Sequence, residues 1–383
     1  MRGGRVVEQG TTDGASRGAG RGRVRSPGIK DVAAAAGVSW KTVSNVVNGT
    51  GRVGEATRAR VEGVIAELGY RPSLAGRQLR QGRTRTFALA VPWIHAPYFA
   101  ELAHVMIEVA GARGYRVLIE ETRGDRDVEL EVARGFAVHA IDGIVFSPLS
   151  LGPAEISGLR GATPMVLLGE RDDPGLAGGR RTDHVSIDNV AAAEEVTRHL
   201  VASGRRRLGF LGAEPEALAR TGAPRLRGFR AACAEAGVTV DERWILPGGR
   251  FSRADGAAAV GAVLARTGEI DGLVCANDEL ALGAVFALRT NGISVPDDVA
   301  VAGWDNTEDG RYANPSLTTV APDVSAIAEA AVERLVGRID PASTSDLDLA
   351  SGAAAPGGGG PDVVDLVVPH RLLVRESTRA ARG

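Results

Sequence analysis

The chain has 383 residues, 44% of them hydrophobic, a length that suggests two or three folded units with sizeable cores. No run of 18 uninterrupted apolar residues occurs, so no membrane-spanning helix is expected. The first 26 residues, rich in Gly and Arg, lack the apolar stretch of a secretory signal. The net charge of −2 conceals an asymmetry: positions 1–85 hold 16 Lys and Arg against six Asp and Glu, whereas the remainder holds 29 against 41. A basic head on an acidic body points to a polyanionic partner, nucleic acid first.

In chain order, residues 1–26 read as a disordered arm without apolar periodicity. Ile29, Val32, Ala33 and Ala36 then fall at helical spacing, and Gly37 stops that segment. Ser39 is a suitable N-cap for a second helix reaching about Val47, with Val43, Val46 and Val47 on its apolar side. A third helix is expected over Glu55 to Leu68, ended by Gly69, and Pro72 opens a short helix-like stretch from Ser73 to Gln81. From Arg85 apolar runs alternate with amphipathic helical patterns. Phe87–Val91, Arg116–Glu120, Gly143–Phe146, Val166–Leu168, Val185–Ile187, Leu208–Leu211, Leu273–Cys275 and Val299–Gly303 read as strands. Phe99–Ala112, Val128–His139, Val190–Ala202, Leu226–Ala236, Glu279–Thr290 and Val324–Val336 read as helices. This alternation predicts parallel sheets covered on both faces, and the number of strands calls for two α/β lobes. Residues 341–361, with a GGGG run, read as a flexible surface loop, and Val363–Val374 as a closing strand segment.

Catalytic and cofactor signatures are missing: no GxGxxG or GxSxG follows any of these strands, neither GxxxxGK[ST] nor HExxH occurs, and the six histidines are scattered. Cys233 and Cys275 have no partners at metal-ligand spacing and read as small buried residues. The chain is therefore expected to be no enzyme, to use no cofactor or metal, and to work in a reducing cytoplasm.

The informative stretch is Ile29 to Asn48. Two short helices joined by a tight turn at Gly37-Val38 can project the second into a major groove of DNA. With its valines turned inward, Trp40, Lys41, Ser44 and Asn45 are expected on the solvent-facing arc. Lys41 could donate to guanine O6 and N7, and Asn45 could pair with an adenine edge. Ser39 and Thr42 suit phosphate contacts at the helix amino terminus.

This segment resembles the headpiece of the LacI/GalR family of bacterial repressors, through DVAAAAGVS…TVSNVVN, ATRARVEGVIAELGYRPS and LAGRQLR in order and spacing. The resemblance continues through Gly-Trp-Asp-Asn306 and Pro315-Ser-Leu-Thr-Thr319, leaving out residues 1–26 and 341–361. It implies a small all-α helix-turn-helix headpiece over 27–71, a hinge helix and linker over 72–84, and a two-lobed α/β periplasmic-binding-protein-like domain with parallel sheets over 85–383. It places Trp40, Lys41 and Asn45 at base-reading positions. Ser73 to Arg80 becomes a hinge that orders on operator DNA, with Leu79 as a minor-groove wedge beside Arg77 and Arg80. Gly76 stands where the family usually has alanine, which should weaken that helix by about 1 kcal/mol.

In the body, ligands are expected at the carboxyl ends of strands. Tyr98 and Phe99 follow the first strand at a position where the family contacts ligand. Ser147 follows the third strand, Asp188 the Val185 strand, Asn277 the Cys275 strand and Asp305 the Val299 strand. Arg225 matches a ligand-binding arginine of the family, with Thr221 nearby, and Phe251 matches a stacking aromatic. Asn277 and Asp278 could also simply cap a helix, and Asp305 a turn. Carboxylates, amides and rings together suit a sugar or sugar derivative, with a nucleoside or purine as the second class. The expected partners are palindromic double-stranded operator DNA, a small effector and a second copy of the chain, with no membrane. A solute-binding protein for transport is the competing class, and the headpiece argues against it.

Overall fold

The computed structural model describes residues 27–70, 83–136, 141–159, 161–169, 182–214, 222–340 and 364–379. The chain divides into two compact units, Met1–Gly82 and Arg83–Gly383.

In the first unit, α1 (Ile29–Ala36), α2 (Trp40–Asn48) and α3 (Glu55–Leu68) pack on one another. Glycines in the left-handed region, Gly37, Gly49 and Gly69, end all three, as only a residue without Cβ does cheaply. Val32, Ala33, Ala36, Val43, Val46 and Val61 form the core, and Val64, Ile65 and Leu68 close its edge. A core this small relies on good caps. Ser39 Oγ accepts the Thr42 amide at 3.1 Å, and the Asp31 carboxylate accepts the Gly28 amide at 2.7 Å.

The second unit is two lobes, each built on a six-stranded sheet. The first sheet runs β11-β5-β4-β3-β1-β2 and is parallel throughout: β1 (Thr86–Val91), β2 (Arg116–Glu121), β3 (Gly143–Phe146), β4 (Met165–Leu168), β5 (Asp183–Ile187) and β11 (Asp365–Val368). The second runs β12-β10-β9-β8-β6-β7: β6 (Leu208–Ala213), β7 (Ile245–Pro247), β8 (Gly272–Cys275), β9 (Ala300–Trp304), β10 (Thr318–Pro322) and β12 (His370–Leu373). Only its β10–β12 pair is antiparallel. The apolar runs of β1, β3 and β4 are continuous because both faces are covered. Phe87, Leu89 and Val91 belong to one cluster, while Ala88 and Ala90 belong to another.

The helices of the body are α4 (Pro97–Ala112), α5 (Arg126–Ala133), α6 (Pro153–Leu159), α7 (Asn189–Ala202), α8 (Gly222–Glu235), α9 (Arg253–Gly261), α10 (Asp278–Thr290), α11 (Glu308–Tyr312) and α12 (Val324–Ile339). The chain passes between the lobes three times: at Asp188 from β5 into α7, at Asp323 from β10 into α12, and at Pro369 between β11 and β12. The last two crossings touch, since the Asp323 amide donates to the Pro369 carbonyl at 3.2 Å.

Three expectations change. The helix expected over Val128–His139 stops at Ala133, where Gly135 turns the chain at φ 93°. The closing segment is two strands, one for each sheet, separated at Pro369, whose missing N–H suits a break in pairing. β7, β10, α6, α9 and α11 are additions to the sequence reading.

Candidate functional sites

On the headpiece, the start of α2 presents the polar and aromatic groups. Trp40 is 55% exposed, an unusual state for an indole within a small core-poor unit. Lys41 beside it is exposed and Thr42 partly so. Ser39 Oγ and Thr42 Oγ1 lie 2.9 Å apart, a hydroxyl pair at the positive end of the helix dipole. Ser44 departs from expectation. It is only 8% exposed and belongs to the packed side of α2, not to the solvent arc. Three residues along a helix is a turn of about 300°, which leaves Ser44 about 60° from Val47 and within reach of the buried flank. Asn45 is half-buried. Its Nδ2 lies 2.8 Å from where a Cβ at Gly51 would stand, so the left-handed Gly51 leaves the space its amide occupies. Leu79 and Arg80 lie outside the described residues.

Within the body, a cavity of about 900 Å³ opens between the two sheets' carboxyl ends. Tyr98, Phe99, Ser147, Arg225, Phe251, Asn277 and Asp305 all line it, although they come from six separate places in the sequence. Each sits just after a strand or at a helix start, where the sheet delivers it. Asp188 does not line it: exposed, it caps α7 by accepting the Ala191 amide at 3.0 Å. Its neighbour Asn189 takes the place at the cavity wall. Thr221 lies outside the described residues.

Arg225 is the centre of the arrangement. Only 9% exposed, its guanidinium donates from Nε to Asn189 Oδ1 at 3.0 Å and from Nη1 to the Ala276 carbonyl. Its plane covers the Trp304 ring at 4.2 Å, a cation–π contact. This fixes a planar donor group against the wall. The indole Nε1 of Trp304 is buried with no hydrogen-bond partner among the described residues, the kind of group a bound molecule satisfies.

Asp305 follows Trp304 with φ 105°, a conformation that L-residues rarely adopt. Enclosure pushes its carboxyl well above the usual carboxylate range, Arg225 draws it back, and Asp278 and Glu279 add to the upward push. It makes no side-chain hydrogen bond or ion pair among the described residues and faces the cavity. Asn277 performs two tasks at once. Its Oδ1 accepts the Leu280 amide at 2.9 Å as the cap of α10, and its Nδ2 donates to the Phe251 carbonyl at 3.0 Å. The capping role expected of it thus coexists with a place on the wall.

Sequence reasoning passed over Asn189, Trp304 and Glu214 as lining residues. Trp304 had a signal, since it precedes Asp305 within an already noted segment. Glu214 had one as well, directly after β6, where it accepts the Gly222 amide at 3.0 Å, a contact across eight positions of chain. The cavity combines apolar rings (Trp93, Tyr98, Phe99, Phe251 and Trp304) with a few convergent polar groups. Such a site binds small molecules by stacking and oriented hydrogen bonds.

Residues 28–73 match the family described as bacterial regulatory proteins, lacI family, and residues 197–378 match a periplasmic binding protein-like domain. The HTH-type transcriptional repressor PurR of Aliivibrio fischeri is 33% identical over 315 residues, 81% of this chain and 91% of that protein. Among solved structures, a LacI-family transcriptional regulator from Sanguibacter keddieii is 38% identical, with a TM-score of 0.64, over 78% of this chain and 99% of that one. A complex of the transcriptional regulator CelR with cellobiose is 28% identical, with a TM-score of 0.61, over 92% and 99%.

Proposed function

Because the chain belongs to the LacI family of bacterial transcriptional regulators, we propose that the cavity between its lobes takes a sugar as effector and that α2 reads operator DNA. The chain is a DNA-binding repressor controlled by a small molecule, not an enzyme; a second copy would complete it on a palindromic operator, one headpiece to each half. In the cytoplasmic reading, a headpiece over 27–71 and a hinge over 72–84 precede the sensor. Trp40, Lys41 and Asn45 contact base edges while Ser39 and Thr42 hold phosphates. Leu79 and Arg80 in the hinge enter the minor groove.

The observation that carries the effector reading is the set around Arg225. A fixed guanidinium and the Asp305 carboxyl, which has no side-chain hydrogen bond among the described residues, border one space lined by aromatic rings, Trp304 among them. A polyol ring satisfies both, its hydroxyls donating to Asp305 and accepting from the guanidinium, with its C–H face against a ring. The size of the cavity favours a disaccharide, the class represented by the cellobiose held in CelR. A nucleoside or purine is the second reading, supported by the same rings as stacking partners for a base.

Binding closes the lobes and releases the operator, which requires only that the effector favour one arrangement over the other, typically by about 1–3 kcal/mol. The test is a gel-shift of the full chain on genomic fragments, with cellobiose, other sugars and nucleosides in separate lanes. A sugar that releases a sequence-selective complex is the expected result. Release by nucleosides alone would move the assignment to the second class.

A further inference from the structure

Asp278, the first residue of α10, is a carboxylate with no exposed surface and lies outside the cavity lining. Its surroundings are built around it. A Cβ at Gly303 would come within 2.3 Å of Oδ1, and one at Gly310 within 3.3 Å of Oδ2, so the two glycines leave the room it fills. Oδ2 accepts the Thr307 amide at 2.7 Å and the Thr307 hydroxyl at 3.0 Å, and Oδ1 accepts the Thr319 hydroxyl at 2.7 Å.

Those bonds hold one short loop. Three successive amides are each tied down: Asp305 N to the Val320 carbonyl at 2.8 Å, Asn306 N to Thr319 Oγ1 at 3.2 Å, and Thr307 N to Asp278. Two of the three run through Asp278, directly or by way of Thr319. Arg375 clasps the same loop from its other side, donating to Asn306 Oδ1 at 2.6 Å and to the Leu317 carbonyl at 2.9 Å. The loop needs holding, because Asp305 and Asn306 are consecutive non-glycine residues at positive φ, 105° and 57°. Each is strained and persists only where the surroundings over-determine it.

We propose that Asp278 is the positioning residue that aims Asp305 into the effector cavity and thereby sets affinity for hydroxyl-bearing ligands. It touches no ligand itself. Its carboxylate converts the start of α10 and the start of β10 into a frame on which the strained loop is mounted. This rests on the reading that the cavity takes a small-molecule effector through Asp305.

Calorimetric titration of the full chain with cellobiose and with adenosine, as one sugar and one nucleoside probe, tests it. The variants are Asp278→Asn, Thr319→Val, Asp305→Asn and their pairwise combinations. Against whichever probe binds the wild type, Asp278→Asn should lose about tenfold in affinity and Thr319→Val about threefold. In the Asp305→Asn background each should add less than about twofold, because residues acting through one contact are non-additive. Retention on duplex DNA should be unchanged. A loss that persists undiminished in the Asp305→Asn background would overturn the proposal, as would no loss at all. Should Asp278→Asn fail to fold, the Thr319→Val and Asp305→Asn cycle decides alone. A wild type blind to both probes would overturn the effector reading itself, and this inference with it.

Discussion

A carboxylate as enclosed as Asp278 weakens the fold that contains it. Burial pushes it up to about 6, against the pull of the Thr319 and Thr307 hydrogen bonds and of Arg375. The folded state therefore holds a proton that the unfolded chain has released between the ordinary carboxylate range and pH 6. Stability from this group falls as pH rises through that window and is level above it. Thermal melts of wild type and Asp278→Asn from pH 4.5 to 7.5 should converge toward the acid end and separate toward neutrality, with the variant the less pH-dependent. Asp183 has the opposite sign. Burial raises its carboxyl, but Arg338 and Arg334, with the Val364 amide, outweigh this and hold it below the usual range. Its stabilisation is complete above the unfolded carboxylate range and is lost as pH falls through its depressed value, so Asp183→Asn should lose stability at neutral pH. Arg225 joins fold and function. Arg225→Ala removes the donor to Asn189 Oδ1 and to the Ala276 carbonyl and the cation over the Trp304 face. It should abolish the effector response and lower stability by about 2–4 kcal/mol, read by denaturant unfolding.

At the scale of elements, the caps decide most. Ser39→Ala removes the side-chain acceptor of the Thr42 amide and should cost the headpiece about 1 kcal/mol, read as a lower melting transition and weaker DNA binding. Gly143→Ala should cost about 1–3 kcal/mol, because a Cβ there would stand 2.7 Å from Leu335 and press α12 off the sheet. The same features explain what was legible. Helices α1 to α3 carried both their apolar spacing and their glycine stops, and the strands of the body were unbroken apolar runs. β7, at three residues, is too short to leave a pattern. β10 is threonine-rich, and Thr318 and Thr319 are buried only because they meet Ser377, Thr378 and Asp278 from far along the chain. Ser44 is inward for a like reason: its burial comes from packing between helices, which the valine arc alone does not reveal.

At the scale of the molecule, the cavity was half legible. Strand ends are where an open α/β sheet places a ligand, so residues after strands could be named. Which of two adjacent residues turns inward is set by the helix that follows. That is why Asp188 became a cap and Asn189 a lining residue. The charge asymmetry yields a prediction for the whole chain. Affinity for duplex DNA should fall steeply between about 50 and 200 mM salt, with a log–log slope counting the phosphates neutralised by the basic head. A flat salt profile would contradict a phosphate-contacting headpiece.

The passage at Pro369 has a mechanical consequence. One residue separates a strand of one sheet from a strand of the other, and the Asp323 amide is fastened to it. A link that short cannot lengthen, so the halves of the sensor are barred from drifting apart along it, and the freedom left to them is a twist about the line of the links. An arriving molecule therefore acts on rotation rather than separation, and whatever it gains by tightening its grip is delivered as torque.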